Sequence, residues 1–124
     1  MTEEETLALL DDIGAAFARH DIAAMVGYFA ADGVFVNAIG PDPFGTRYEG
    51  HQQIRGYFEN LFATTKEVQW EKQDVRVVGD KAYTEWHRRA TLNSGEKQDW
   101  LGVDIYTFGE GEILKKDTYI KVVG

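Results

Sequence analysis

Apolar residues recur at every third or fourth position over the first half of the chain and at every second position over the second half. The first pattern predicts helices and the second predicts strands. Residues 2–19 read as an amphipathic helix with Leu7, Leu10, Ile13 and Phe17 on one face. Thr2 followed three positions later by Glu5 is a capping box at its start. Asp21 is the N-cap of a second helix that turns Ile22, Met25, Val26 and Phe29 inward, and Ala30-Ala31-Asp32-Gly33 closes it. Val34–Asn37 is then a short strand. An irregular loop follows, holding the only two prolines, Pro41 and Pro43. Residues 51–63 form a third helix with Ile54, Tyr57, Phe58, Leu61 and Phe62 at helical spacing.

From residue 67 the period is two. Strands are predicted over 68–78, 81–92, 98–108 and 113–123, joined by turns at Gly79-Asp80, Asn93-Ser94-Gly95 and Gly109-Glu110-Gly111. This is a meander of four long antiparallel strands. Helices first and strands later predict an α+β fold, with the helices on one face of a curved sheet. No repeat or linker interrupts the chain, so 1–124 is expected to be one domain.

Charge inside this apolar frame locates the candidate chemistry. Asp104 interrupts one strand, and Lys115, Lys116 and Asp117 interrupt the next. A buried charge is costly unless it is paired. The whole chain carries a net charge of -8, which argues against nucleic acid or an anionic membrane as a partner. It has no cysteine, which excludes disulfides, thiolate metal sites and a Cys nucleophile. The acidic start, Thr2-Glu3-Glu4-Glu5, is unlike a signal peptide, and no apolar run reaches the roughly 18 residues of a membrane span. A soluble cytoplasmic protein is expected.

The strings FAADGVF at 29–35, GHQQIRGYF at 50–58, TEW at 84–86 and DIYTFGEGEILKKDTY at 104–119, in this order, resemble the SnoaL-like branch of the nuclear transport factor 2-like superfamily. The resemblance covers nearly the whole chain. It implies a cone in which a bent sheet wraps a deep pocket closed by three helices. The superfamily includes ketosteroid isomerase, limonene-epoxide hydrolase, polyketide cyclases, dehydratases and binding-only proteins, so the fold does not fix the function. Against ketosteroid isomerase, Asn37 stands where the base would be, Ile13 where the tyrosine would be, and Asp104 matches the protonated aspartate. Against limonene-epoxide hydrolase, Phe35 and Asn37 match the water-holding pair, with Asn37 identical. Trp86 and Arg88 replace the arginine and aspartate of the middle strand, and Thr118 or Asp117 falls at the last acid. Neither catalytic set is complete.

Strand parity then gives a pocket inventory. If Asp104 faces inward, so do Trp100, Gly102 and Tyr106. The position match adds Thr84, Trp86, Arg88 and Ala90, then Lys116, Thr118 and Ile120. A bulge in the last strand would instead turn Asp117 and Tyr119 inward. Asp104, between Val103 and Ile105, is the candidate acid or base. The alternative is a structural ion pair with Arg88 or Lys116. Arg88 is a candidate electrostatic stabiliser of an anionic or enolate-like oxygen, and Asn37 a polar anchor. Phe35, Tyr57, Phe58, Trp86, Trp100 and Tyr106 are expected to line the pocket, with Lys116, Asp117 and Thr118 at its polar end. The three histidines, His20, His51 and His87, lack ligand spacing, Ser94 lies in a turn, and no phosphate loop or dinucleotide fingerprint is present. No cofactor is expected.

Tyr83, Glu85, His87, Arg89, Leu101, Val103 and Ile105 fall on the outer sheet face, which is expected to pair a homodimer. The leading expectation is a SnoaL-like enzyme doing acid–base chemistry on an apolar carbonyl compound, as isomerase, cyclase, dehydratase or hydrolase. The alternatives are a binding module for a small hydrophobic ligand and a dimerisation domain with a filled cavity.

Overall fold

A computed structural model describes residues 1–122. Three helices, α1 (Glu3–Ala18), α2 (Ile22–Gly27) and α3 (Gly50–Thr64), combine with six strands: β1 (Phe29–Asn37), β2 (Thr46–Glu49), β3 (Thr65–Val78), β4 (Lys81–Leu92), β5 (Lys97–Gly109) and β6 (Glu112–Ile120). The strands form one sheet in the order β2-β1-β6-β5-β4-β3. The predicted four-strand meander is present as β3 to β6. The last strand ends at Ile120, short of the expected 123, and Val123 lies outside the described residues. No helix among the described residues is long and apolar enough to cross a membrane.

The capping box of α1 forms as expected: Glu5 N donates to Thr2 Oγ1 at 3.1 Å and Thr2 N donates to Glu5 Oε1 at 2.8 Å. The buried face of α1 is rotated slightly from the expected one. Thr6, Leu10, Ile13 and Ala16 are buried, whereas Leu7 is exposed. Thr6 tolerates burial because its hydroxyl donates to the Thr2 carbonyl at 3.0 Å. Asp21 caps α2 by accepting from Ala24 N at 3.1 Å. Met25, Val26, Ile54 and Phe58 carry α2 and α3 into the core with Phe29, Phe35 and Ile113.

Two expectations about the first strand are corrected. The FAADG segment does not close a helix; it is the start of β1, which runs from Phe29 and bulges between Phe29 and Val34. Gly and Asp suggested a turn, but the backbone instead pairs in parallel with β6, Phe29 to Ile113 and Val34 to Lys115. A Cβ on Gly33 would lie 2.9 Å from both Ala30 O and Ile113 O, so only glycine allows this close approach. The loop after β1 also contains a strand, β2, which forms the sheet edge by pairing Phe35 with Tyr48 and Asn37 with Thr46.

Bulges bend the sheet. In β3, Lys72 pairs with Trp86 and Asp74 with Glu85, so Gln73 is an extra residue that switches which positions face inward. In β6, Lys115 pairs with Thr107 but Ile113 with Phe108, which leaves Leu114 unpaired. Leu114 and Lys115 therefore both face outward, between the buried Ile113 and Lys116.

Candidate functional site

The helices do not fill the concave face. A cavity of about 650 Å³ remains, walled by α1, α3 and β3 and floored by β4, β5 and β6. Its middle is apolar. Trp86 and Gly102 are cross-strand partners, and the Trp86 ring occupies the space that a Cβ on residue 102 would need, with ring carbons 2.4 and 2.5 Å from that point. Phe17, Phe35 and Phe58 form one aromatic wall, with ring centroids 5.4 Å apart for Phe17 and Phe58 and 5.7 Å for Phe35 and Phe58.

The bulge at Leu114 sets one polar end. With it, Asp104 pairs with Thr118 and Tyr106 with Lys116. Continued from the Gly109–Glu112 turn without the extra residue, the same ladder would set Asp104 opposite Asp117. Instead Thr118 Oγ1 donates to Asp104 Oδ1 at 2.7 Å, and Lys116 Nζ lies 3.3 Å from the same oxygen. Lys116 Nζ also donates to Thr118 Oγ1 at 3.2 Å and stands 4.6 Å over the Phe35 ring. Asp104 Oδ2 accepts no hydrogen bond among the described residues, and Asp104 lines the cavity. Val103 and Ile105, which flank Asp104 in sequence, point to the other face, so its setting comes from Lys116 and Thr118. The expected alternative partner, Arg88, is elsewhere.

Arg88 forms the second polar end. It is 6% exposed and has no carboxylate within 4.0 Å among the described residues. Its Nη1 donates to Gln98 Oε1 at 2.8 Å, and its guanidinium lies 4.8 Å from the Trp100 ring centroid. Burial pulls its pKa down from the usual arginine value, while nearby Tyr57 acts in the opposite direction. Tyr57, on α3, is pushed up to about 12, first by burial, with Arg88 pulling down and Tyr48 and Asp104 pushing further up. Its phenol is therefore a neutral donor near both charges. Burial also raises the phenol of Tyr106 well above the ordinary value, and its ring stacks on Phe108 at 5.5 Å.

Eleven of the twelve residues expected at the site from the sequence line this cavity: Asn37, Arg88, Asp104, Phe35, Tyr57, Phe58, Trp86, Trp100, Tyr106, Lys116 and Thr118. Asp117 does not. It pairs with Ile105 on the outer face, 4.0 Å from Lys115 Nζ; the bulge at Leu114 acts opposite to the expectation, turning Lys116 and Thr118 inward and Asp117 outward. Asn37 is partly committed to its own loop, since its Oδ1 accepts from Ala38 N at 2.9 Å; its NH2 group donates to no group among the described residues. Trp70, Gln98 and Phe17 also line the cavity and were not expected. Gln98 was within reach of the parity argument, two residues before Trp100. Trp70 pairs with Arg88 across β3 and β4, a register that the sequence does not reveal. His87 lies on the outer side, hydrogen-bonded to Asp99 and 3.2 Å from Arg89 Nη2. Among the described residues no three His, Asp or Glu side chains converge as a metal-binding set.

The profile of the SnoaL-like domain matches residues 11–115. The chain belongs to the SnoaL-like family. This SnoaL-like chain is similar to an NTF2-like protein of unknown function from Mesorhizobium loti, at 26% identity and a TM-score of 0.77, covering 96% of this chain and 93% of that one. It is also similar in structure to SalBIII, an epoxide hydrolase/cyclase-like enzyme of pyran ring formation in the polyether salinomycin, at 19% identity and a TM-score of 0.83, covering 98% and 95%. A third similar structure is a hypothetical protein with a ketosteroid isomerase-like fold from Catenulispora acidiphila, at 21% identity and a TM-score of 0.79, covering 90% and 83%. No curated protein sequence matches the chain. The fold is thus one shared by small-molecule enzymes and by proteins of unknown activity, and the chemistry has to be argued from the cavity.

Proposed function

We propose that this SnoaL-like domain is an acid–base enzyme acting on an apolar, carbonyl-containing small molecule held in the cavity. The observation that carries this reading is the divided role of the Asp104 carboxylate. Lys116 and Thr118 hold Oδ1, Oδ2 accepts no hydrogen bond among the described residues, and Asp104 lines the cavity. A carboxylate held in this way can take a proton from carbon next to a carbonyl and return it to another atom. The oxygen that gains negative charge would be met by the Tyr57 phenol, with Arg88 contributing at the other polar end, and the Asn37 NH2 group would orient the substrate. The net reaction would be an isomerisation, cyclisation or dehydration where the proton comes from carbon, and a hydrolysis where the same carboxylate takes it from a water that attacks the substrate and returns it to the leaving group.

Deuterium exchange tests this with surrogate carbonyl compounds in place of the natural substrate. A panel of aryl ketones and cyclic enones is incubated with the protein in D2O, and loss of the α-proton signal is followed by NMR. The expected result is accelerated exchange of at least one compound and loss of that acceleration in Asp104→Asn. Exchange unchanged by Asp104→Asn removes the assignment. The Asp104–Lys116 pair also supports a second reading, a binding module in which the pair is structural; there, ligands bind and no exchange is catalysed.

A further inference from the structure

We propose that the natural ligand is an organic acid: a flat, largely apolar molecule whose carboxylate sits against Arg88 and whose other end reaches Asp104. Only the placement of the second end rests on the catalytic reading above.

The argument begins with charge. The charged side chains buried among the described residues are Arg88, Asp104 and Lys116, two cations and one anion. Asp104 and Lys116 compensate each other at 3.3 Å. Arg88 is left over, so the interior has an excess positive charge in a chain whose net charge is -8. Its one side-chain hydrogen bond goes to a neutral amide, Gln98. A guanidinium carries five N–H donors, and burying one without an anion is costly. A ligand carboxylate would accept two of the unused donors side by side, the geometry in which arginine binds that group best. Trp100 covers one face of the guanidinium, leaving its edge for that contact.

Register gives the ligand its shape. Arg88 pairs with Trp100, and Asp104 pairs with Thr84, so the two polar ends stand four residues apart on the same sheet face. At the rise of an antiparallel strand this sets their backbone positions about 13 Å apart along the sheet. Trp86, over Gly102, lies midway between them. A molecule spanning the two ends must lay an apolar body over that indole, and a flat ring system makes the larger contact. A neutral ketone or lactone would fill the cavity and still leave Arg88 unpaired.

Isothermal titration of the whole protein with biphenyl-4-carboxylate and with biphenyl-4-carboxamide tests the inference, because the two probes share shape and differ in charge. The acid is expected to bind at least tenfold more tightly than the amide. That preference should vanish in Arg88→Gln and persist in Asp104→Asn. Gln98→Glu gives a second variant. It sets a protein carboxylate where the amide accepts from Arg88, and should weaken acid binding at least tenfold with little effect on the amide. Equal binding of both probes by the wild type, no binding of either, or a preference that survives both Arg88→Gln and Gln98→Glu overturns the inference. The outcome is independent of the exchange assay: an acid preference without exchange removes the proposed chemistry alone, and exchange without an acid preference removes this ligand class alone.

Discussion

The Lys116 ammonium lies 3.3 Å from Asp104 Oδ1, and both side chains are buried under the helices. Each is the main compensation for the other. Lys116→Met should therefore destabilise the protein by roughly 3–5 kcal/mol, since it leaves a buried carboxylate without its cation. Adding Asp104→Asn to that variant should recover part of the loss. Urea unfolding of the two single variants and the double variant measures this. Additive losses would mean that the pair is not coupled.

Gly102 is expected to tolerate no side chain. A Cβ there would meet Trp86 ring carbons at 2.4 and 2.5 Å and Tyr119 O at 2.6 Å. A side chain at 102 therefore requires both the indole and the β6 backbone to shift. Gly102→Ala should cost about 1–3 kcal/mol and reduce binding of biphenyl probes. Thermal unfolding and titration read the two effects.

Tyr57 gives stability a dependence on alkaline pH. Its folded pKa, about 12, lies above the ordinary 10.0. A raised pKa contributes stability that is fully present below about pH 10 and is lost as pH rises through the folded value. The loss attributable to this residue should be on the order of 2 kcal/mol. Tyr57→Phe should flatten part of the fall between pH 10 and 12. Equilibrium unfolding of both proteins across that range checks the difference, and parallel curves would refute it.

Phe58 belongs to the wall of the cavity and to the core at once, at 2% exposure. Phe58→Ala should cost about 3–5 kcal/mol, measured by urea unfolding. The exposed Phe44, at 86%, serves as its control, and Phe44→Ala should change stability by less than about 0.5 kcal/mol.

The homodimer expected from the sequence is proposed here through the outer face of β4, β5 and β6. Leu101 and Tyr119, 46% and 53% exposed, flank the partly covered Val103. Sedimentation should give twice the 14.0 kDa mass of the chain, and Leu101→Glu should shift it to the monomer. A wild-type monomer at micromolar concentration would remove the proposal.

Much of this was legible in the residues themselves. The capping box at Thr2 and the cap at Asp21 depend on contacts three residues apart, so local sequence specifies them almost completely. Alternation grouped Trp100, Asp104 and Tyr106 on one face of β5 and Thr84, Trp86 and Arg88 on one face of β4, because a strand has a fixed period of two, and the family resemblance implied that the two groups share the inner face. Periodicity also predicted α3 and the meander. The β1–β6 pairing was not legible: parallel neighbours are distant in sequence, and Gly33 reads locally as a turn.

Which side chains share a face follows from backbone geometry within one element, and the order of residues alone was enough to say it. Which of them meet across elements was settled only when the strands assembled. One unpaired residue, Leu114, turns Lys116 and Thr118 toward Asp104 and sends Asp117 outward. The same ladders leave Arg88 beside Trp100 and Gln98 with no acid among the described residues to neutralise it. A bulge shifts every later pairing by one position while barely changing the local pattern, so register, and with it the charge of the cavity, is a property of the assembled sheet.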